Sequence, residues 1–166
     1  MLDLIKNIEG REILGGTGRP TIEARVITCQ GLAVEASVPS GTSKGKHEAF
    51  ELYDGGNRYR GFGVRQAAEN INRIISPALK GMDVTEQRRI DDTLIHLDGT
   101  ANKGKLGGNA ILAVSAACAK AGAASSKLSV FRYLGGLGGC GFPPRWSQSL
   151  PEEITPPPLC PLKITC

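Results

Sequence analysis

The sequence is poor in aromatic residues, and it lacks both long apolar runs and blocks of like charge. Its 166 residues include one tryptophan, three tyrosines and four phenylalanines. A membrane-spanning helix needs about 20 consecutive apolar residues, which no stretch of this chain supplies. The net charge of +4 is spread along the chain. We therefore expect neither a membrane nor a nucleic acid as a partner.

Signals for secretion and for metal-binding or redox cysteines are also missing. The start, Met1-Leu2-Asp3, carries an acid where a signal peptide has basic residues, so we expect a cytoplasmic protein. The five cysteines show no zinc or redox spacing. Cys29 and Cys118 lie in apolar stretches and are predicted to be reduced and buried.

Alternating apolar and polar residues predict three strands in the first part of the chain. One covers residues 4–13, although Gly10 interrupts it. A glycine-rich turn at 15–20 leads to the second, and the third begins at Leu32. The apolar residues of the second strand share one face: Ile22, Ala24 and Val26. Short turns between the strands predict an antiparallel meander.

From Val64 the apolar period becomes helical. The first helix is predicted to end at Ser76-Pro77, and its apolar stripe consists of Val64, Ala67, Ala68, Ile71, Ile74 and Ile75. A second helix is predicted from Asp83, capped by Asp83 and Glu86 and stopped by Gly99. A third starts near Gly108-Asn109 and is rich in alanine.

These elements predict one α+β domain over residues 1–138, a three-stranded antiparallel meander followed by helices. Residues 130–134 are predicted to be a last apolar anchor. Residues 139–166 contain seven of the ten prolines and show no period, so little fixed structure is expected there. Two origins of this tail stay open: a shifted frame or truncation with unrelated sequence appended, and a proline-rich interaction segment.

A polar loop at residues 39–49 follows the third strand. It holds two glycines, two lysines, one histidine and three hydroxyls, which suits a mobile segment that meets an anion or a metal. A solvated basic connection is the alternative. A Walker phosphate loop is excluded, because Gly41 and Gly45 enclose three residues rather than four and His47 replaces the required Ser or Thr.

Four segments of the chain carry a family resemblance, in the same order as in the family. Residues 37–45 read Ser-Val-Pro-Ser-Gly-Thr-Ser-Lys-Gly and are followed, after Lys46, by His47-Glu48-Ala49. The others are residues 18–23, 83–87 and 97–112, the last beginning Leu-Asp-Gly-Thr-Ala-Asn-Lys. Together they resemble the amino-terminal domain of enolase over about residues 4–138.

This resemblance implies a magnesium-dependent lyase that dehydrates 2-phosphoglycerate to phosphoenolpyruvate. In the family, the lysine base, the glutamate acid and the carboxylates of the first magnesium belong to a (β/α)8-type barrel, whose motifs this chain does not contain. No residue of this chain is therefore predicted to be catalytic. The resemblance implies a substrate loop of Ser40, Gly41, Thr42, Ser43, Lys44, Gly45 and His47, with Ser43 as a ligand of the second Mg²⁺.

The chain by itself is predicted to be an inactive, truncated lid module that meets 2-phosphoglycerate only beside a barrel domain. Its implied protein partners are a second copy or a full-length enolase subunit. Lys44 replaces the family's threonine, and Gly15-Gly16-Thr17 replaces Asp-Ser-Arg, whose arginine takes part in subunit contacts. Asp98 and Asn102 are predicted to hold a loop and a helix cap. The alternative function is a stand-alone binding or interaction module that retained the domain.

Overall fold

A computed structural model describes residues 2–39, 41 and 45–136. Over these residues the chain forms a three-stranded antiparallel sheet followed by helices, which confirms the predicted α+β class. No helix in this described part is long and apolar enough to cross a bilayer. The tail at 139–166 lies outside the described residues, so its predicted lack of fixed structure stays a prediction.

The sheet is the predicted meander. Its strands are β1 (Ile5–Leu14), β2 (Pro20–Thr28) and β3 (Ala33–Ser37), in the spatial order β1-β2-β3. Each neighbouring pair is antiparallel. The predicted inner face of β2 is fully buried at Ile22, Ala24 and Val26. Alternation along the strand therefore identified the core side of the sheet correctly.

The opposite face of the sheet is charged. Arg11 on β1 pairs with Glu23 on β2 and with Glu35 on β3, and Arg25 lies 3.5 Å from Glu35. Neighbouring strands thus place opposite charges beside each other on the solvent side.

The first helical segment is longer than predicted. It consists of α1 (Arg65–Asn70), a wide π turn (Ile71–Ile75) and α2 (Ser76–Leu79), so the predicted end at Ser76-Pro77 is wrong. The Ser76 amide reaches five residues back, to the Ile71 carbonyl. A wide turn relieves the clash between a proline ring and the carbonyl four residues earlier, which lets the helix continue through Pro77. It also turns Ile74 outward, against the predicted stripe.

Helix α3 (Gln87–Asp98) begins four residues after its predicted start at Asp83. The Asp83 carboxylate accepts hydrogen bonds from the amide and hydroxyl of Thr85, at 2.9 and 2.8 Å. It therefore closes a local turn and is not part of the predicted capping box. The predicted end is confirmed, because Gly99 adopts the left-handed conformation with φ of 68°.

The alanine-rich helix α4 (Gly108–Ser125) packs against β2 and β3, and its predicted start is confirmed. The last helix, α5 (Val130–Gly135), does not form the predicted apolar anchor, since Phe131 is 53% exposed and Leu134 is 66% exposed. Tyr133 holds it instead, donating its hydroxyl hydrogen to the Thr85 carbonyl at 3.2 Å.

The two described cysteines are free and lie in different environments. Cys118 is buried, as predicted, and burial raises the pKa of its thiol to about 12. Cys29 is exposed, so its predicted burial is wrong. It follows β2 directly, in the turn between β2 and β3, where the chain leaves the packed sheet.

Candidate functional site

The predicted substrate loop leaves the sheet at the end of β3. Gly41, Gly45 and His47 are exposed. Ser40, Thr42, Ser43 and Lys44 lie outside the described residues, so their predicted roles stay predictions. The described residues on either side of them define how the two ends of the loop are held.

The first end of the loop is tied to β2. The Val38 amide donates to the Ile22 carbonyl at 3.1 Å, and the Thr21 hydroxyl donates to the Val38 carbonyl. Both bonds extend the pairing of the sheet by one residue beyond β3. Val38 is itself buried, so the loop starts from a point that packing holds in place.

A carboxylate beyond the loop also binds its first half. Glu51 accepts a hydrogen bond from the Gly41 amide at 3.0 Å and another from the Tyr53 hydroxyl. The Tyr53 ring meets the Phe62 ring edge to face, with centroids 5.5 Å apart. The Arg19 guanidinium lies 4.6 Å from the centre of the Phe62 ring. This chain of contacts connects the loop to the β1–β2 turn.

The second end of the loop is fastened to the start of α4. The Phe50 amide donates to the Asn102 carbonyl at 2.7 Å, and the Phe50 carbonyl accepts from the Gly108 amide at 2.7 Å. The Asn109 side chain bonds both backbone groups of Leu52, at 3.2 and 3.1 Å. Four hydrogen bonds therefore hold residues 50–52.

Two glycines make this close approach between residues 49–52 and α4 possible. A Cβ at Gly108 would lie 2.8 Å from the Cβ of Ala49, and one at Gly107 would lie 2.7 Å from the Cβ of Leu52. Gly107 also has φ of 97°, which other residues rarely adopt. The Gly-Gly-Asn sequence at 107–109 thus serves as the seat for the segment after the loop.

Asp98 organises the neighbouring turn, and its predicted role in holding that turn is confirmed. Its carboxylate accepts from the Leu106 amide at 2.7 Å, from the Thr100 amide at 3.0 Å and from the Thr100 hydroxyl. Burial alone would raise the pKa of Asp98. The hydrogen bonds from Leu106, Thr100 and the Lys105 amide outweigh that effect and hold the pKa below its ordinary value.

Asp54 connects the segment after the loop to the first helix. Its carboxylate accepts from the first two amides of α1, at 2.9 and 2.8 Å, and its own amide donates to the Gly63 carbonyl at 2.8 Å. It caps a helix that begins eleven residues further along the chain. The short-range capping patterns used in sequence analysis therefore did not identify it.

A partly buried ion pair supports the same region. Glu12 on β1 binds Arg58 through two hydrogen bonds and accepts a third from the Val64 amide at 2.8 Å. The hydrogen bond from Arg58 lowers the pKa of Glu12 below its ordinary value, with a further contribution from Val64. This pair was not predicted because its partners lie more than 40 residues apart in the sequence.

Sequence reasoning also missed Glu51, Tyr53 and the exact use of Asn109. Glu51 and Tyr53 bond each other two residues apart, and they also contact the Gly41 amide and the Phe62 ring, which no hydrophobic period can reveal. Asn109 had a usable signal, because an amide side chain directly after two glycines suits a site where another segment comes close.

The described residues do not assemble a metal site of their own. Over 2–39, 41 and 45–136, no group of three or more His, Cys, Asp or Glu side chains is placed to hold a metal ion. The predicted ligand Ser43 lies outside this part of the chain.

A shallow groove runs along α3. It is lined by Thr85, Glu86, Gln87, Arg88, Arg89, Asp92, Thr93 and His96. Several of these groups bind neighbours on the same helix: Arg89 pairs with Glu86, and a His96 ring nitrogen lies 2.6 Å from the Asp92 carbonyl. None of the loop residues that the structure describes, 39, 41 and 45–49, lines this groove.

Comparison with known proteins identifies the family of this fold and loop. The family described as "Enolase, N-terminal domain" matches residues 5–134, which is most of the chain. The chain belongs to the enolase family. The match includes the substrate loop, both segments that hold its ends and the turn around Asp98.

Individual enolases agree with this chain over the same region. It is 56% identical to the enolase of Pyrococcus furiosus over 133 residues, covering 80% of this chain and 31% of that enzyme. It is 52% identical to the enolase of Methanothrix thermoacetophila over 139 residues, covering 84% and 33%. The enolase of Thermococcus kodakarensis is 54% identical over 132 residues, covering 80% and 30%. The match thus spans about a third of the length of these curated relatives.

Proposed function

We propose that this chain supplies the substrate-loop domain of an enolase, which as a complete enzyme dehydrates 2-phosphoglycerate to phosphoenolpyruvate with Mg²⁺. The supporting observation is the loop that carries the family's sequence, anchored at one end to β2 and at the other to α4. A loop between two fixed ends can change its own conformation while the frame stays in place.

In this proposal, the groups that remove the proton and the hydroxyl of the substrate belong to the part of an enolase that this chain does not match. A general base there takes the proton from the carbon next to the carboxylate, and a general acid assists departure of the hydroxyl as water. The loop closes over the substrate. Its exclusion of water strengthens the charge interactions that stabilise the enolate.

Magnesium enters the proposal through Ser43. By the family resemblance, the carboxylate ligands come from the rest of an enolase and Ser43 adds oxygen ligands. By the same resemblance, Ser40, Gly41, Thr42, Lys44, Gly45 and His47 form the substrate-facing part of the loop.

The remaining assignments rest on the family. We propose residues 1–138 as the domain and 139–166 as a separate tail. We propose a cytoplasmic location, a second copy or a full-length enolase subunit as protein partner, and contact with 2-phosphoglycerate only beside a barrel domain. Thr17, at the tip of the β1–β2 turn, replaces an arginine used in the family's subunit contacts. A binding measurement between this chain and a full-length enolase subunit therefore tests whether the surface around Thr17 still forms that contact.

A hybrid enzyme tests the proposal. Residues 1–138 are joined to the barrel of the Pyrococcus furiosus enolase, and conversion of 2-phosphoglycerate is followed with Mg²⁺ present. We expect turnover by the hybrid and none by the 166-residue chain alone. Ser43→Ala in the hybrid is expected to lower kcat about tenfold, equal to about 1.4 kcal/mol of transition-state stabilisation.

The matched control is Ser37→Ala, an exposed serine at the end of β3, which should leave turnover unchanged. An inactive but folded hybrid would favour the stand-alone binding module. Turnover by the purified chain alone, abolished by chelation of Mg²⁺, would contradict the division of roles proposed here.

A further inference from the structure

One carboxylate binds the loop from outside it. Glu51 lies ten residues after Gly41 and accepts its amide hydrogen at 3.0 Å. Gly41 is exposed and Glu51 is partly buried, so the bond joins a solvent-facing loop residue to a held one. A charged acceptor makes a stronger hydrogen bond than a neutral one.

The backbone and the side chain of Glu51 are themselves held in place by hydrogen bonds. The neighbouring residues 50 and 52 make four hydrogen bonds to Asn102, Gly108 and Asn109. Its other carboxylate oxygen accepts from the Tyr53 hydroxyl, and the Tyr53 ring rests on Phe62. Backbone and side chain of Glu51 are thus restrained independently, which reduces the conformational entropy lost on binding Gly41.

We propose that Glu51 is a positioning residue for Gly41 of the loop. The Glu51 carboxylate sets the place of Gly41 relative to the seat formed by Gly107, Gly108 and Asn109. The consequence for turnover rests on the proposed function. The position of Gly41 does not, because it can be measured on the chain without any substrate.

The first test measures amide hydrogen exchange at Gly41 in the full 166-residue chain. Glu51→Ala removes the acceptor and should accelerate exchange at Gly41 about three- to tenfold. Glu51→Gln keeps an amide oxygen for Gly41 and an NH₂ group for Tyr53, so it should restore most of the protection. Tyr53→Phe keeps the ring contact with Phe62 and should have a smaller effect than Glu51→Ala.

Glu48→Ala is the matched control. Glu48 is an exposed glutamate in the same segment, and its side chain lies next to Gly45. It should leave exchange at Gly41 unchanged. Exchange at Val26, a fully buried residue of the central strand, reports global opening in the same sample. Equal acceleration at Gly41 and Val26, or unchanged exchange at Gly41 in Glu51→Ala, would overturn the proposal.

A second readout uses the hybrid enzyme. If the place of Gly41 matters for turnover, Glu51→Ala should lower kcat/KM about three- to tenfold and Glu51→Gln should recover most of it. Loss in Ala without recovery in Gln would contradict a positioning role through the hydrogen bond. An inactive parent hybrid would count against the proposed function alone, since exchange at Gly41 is measured on the separate chain.

Discussion

Gly10 lies in the middle of β1, where the first helical segment leaves no room for a side chain. A Cβ at this position would lie 2.7 Å from the Cβ of Ile71 and 2.9 Å from the Ala68 carbonyl oxygen. The sequence suggested that Gly10 interrupts the strand, but the pairing of β1 with β2 continues through Gly10, which lies opposite Ala24. The glycine permits close packing of helix on sheet.

Gly10→Ala should therefore destabilise the domain. Overpacking against Ile71 and the backbone of Ala68 is expected to lower the free energy of unfolding by about 2 kcal/mol, measured by urea denaturation. Gly16→Ala is the control, because no atom lies within 4 Å of its added Cβ. A Gly10→Ala midpoint equal to that of Gly16→Ala would contradict the packing argument.

Asp98 provides a prediction about pH. Its folded pKa is below the ordinary value, so its stabilising effect is present above a pH of about 4 and is lost as the pH falls through the folded pKa. Asp98→Asn should flatten the loss of stability in acid, and should lower the free energy of unfolding at neutral pH by about 2 kcal/mol.

Thermal unfolding from pH 7 down to about pH 2 checks this, since that range spans ordinary carboxylate titration. Asp92→Asn, at an exposed position of the same helix α3, is the control for loss of one charge. If both variants change the thermal midpoint at acid pH equally, the change is caused by net charge and not by the hydrogen bonds of Asp98.

At the scale of elements, the first helical segment protects the open edge of the sheet. Asn72 accepts from the Gly10 amide at 2.8 Å and donates to the Gly10 carbonyl at 3.0 Å. Ser76 accepts from the Ile8 amide at 3.0 Å. These side chains pair with the free backbone groups of β1, which would otherwise be an exposed edge.

Asn72→Ala should open that edge. Loss of both bonds to Gly10 is expected to cost about 1 to 2 kcal/mol of unfolding free energy and to accelerate amide exchange at Gly10 more than at β2. Arg73→Ala, which removes only an exposed pair with Glu69, is the control. Uniform acceleration across the sheet would argue for a general loss of stability instead.

At the scale of the whole molecule, the family match ends at residue 134, within α5, whose apolar side chains are exposed. The contacts of the loop that the structure describes all lie before that point, between β1 and the start of α4. Stability of the loop's frame should therefore not depend on the residues after 138.

A chain ending at residue 138 should keep the same thermal midpoint, within about 2 °C of the 166-residue chain. Circular dichroism during heating and the amide exchange pattern of residues 5–134 provide the measurement. A large fall in the midpoint, or new exchange across the sheet, would show that the tail packs on the domain and would contradict the proposed boundary.

The sequence by itself determined the strands, the alanine-rich helix, the end of α3 at Gly99 and the family. Each rests on local information: a period of two along Ile22, Ala24 and Val26, a glycine that favours a left-handed stop, or motifs read in order.

Only the tertiary structure decided which local signals prevailed and what supports the loop. Pro77 did not end its helix because a wide turn accommodated it, and Cys29 lies in an exposed turn despite its apolar neighbours. Asn109 meets Leu52, 57 residues away, and that meeting depends on how the segment after the loop packs against α4. Glu51 meets Gly41 ten residues away, on the other side of the loop. Periods and motifs describe neighbours in sequence, whereas the support of this loop consists of neighbours in space.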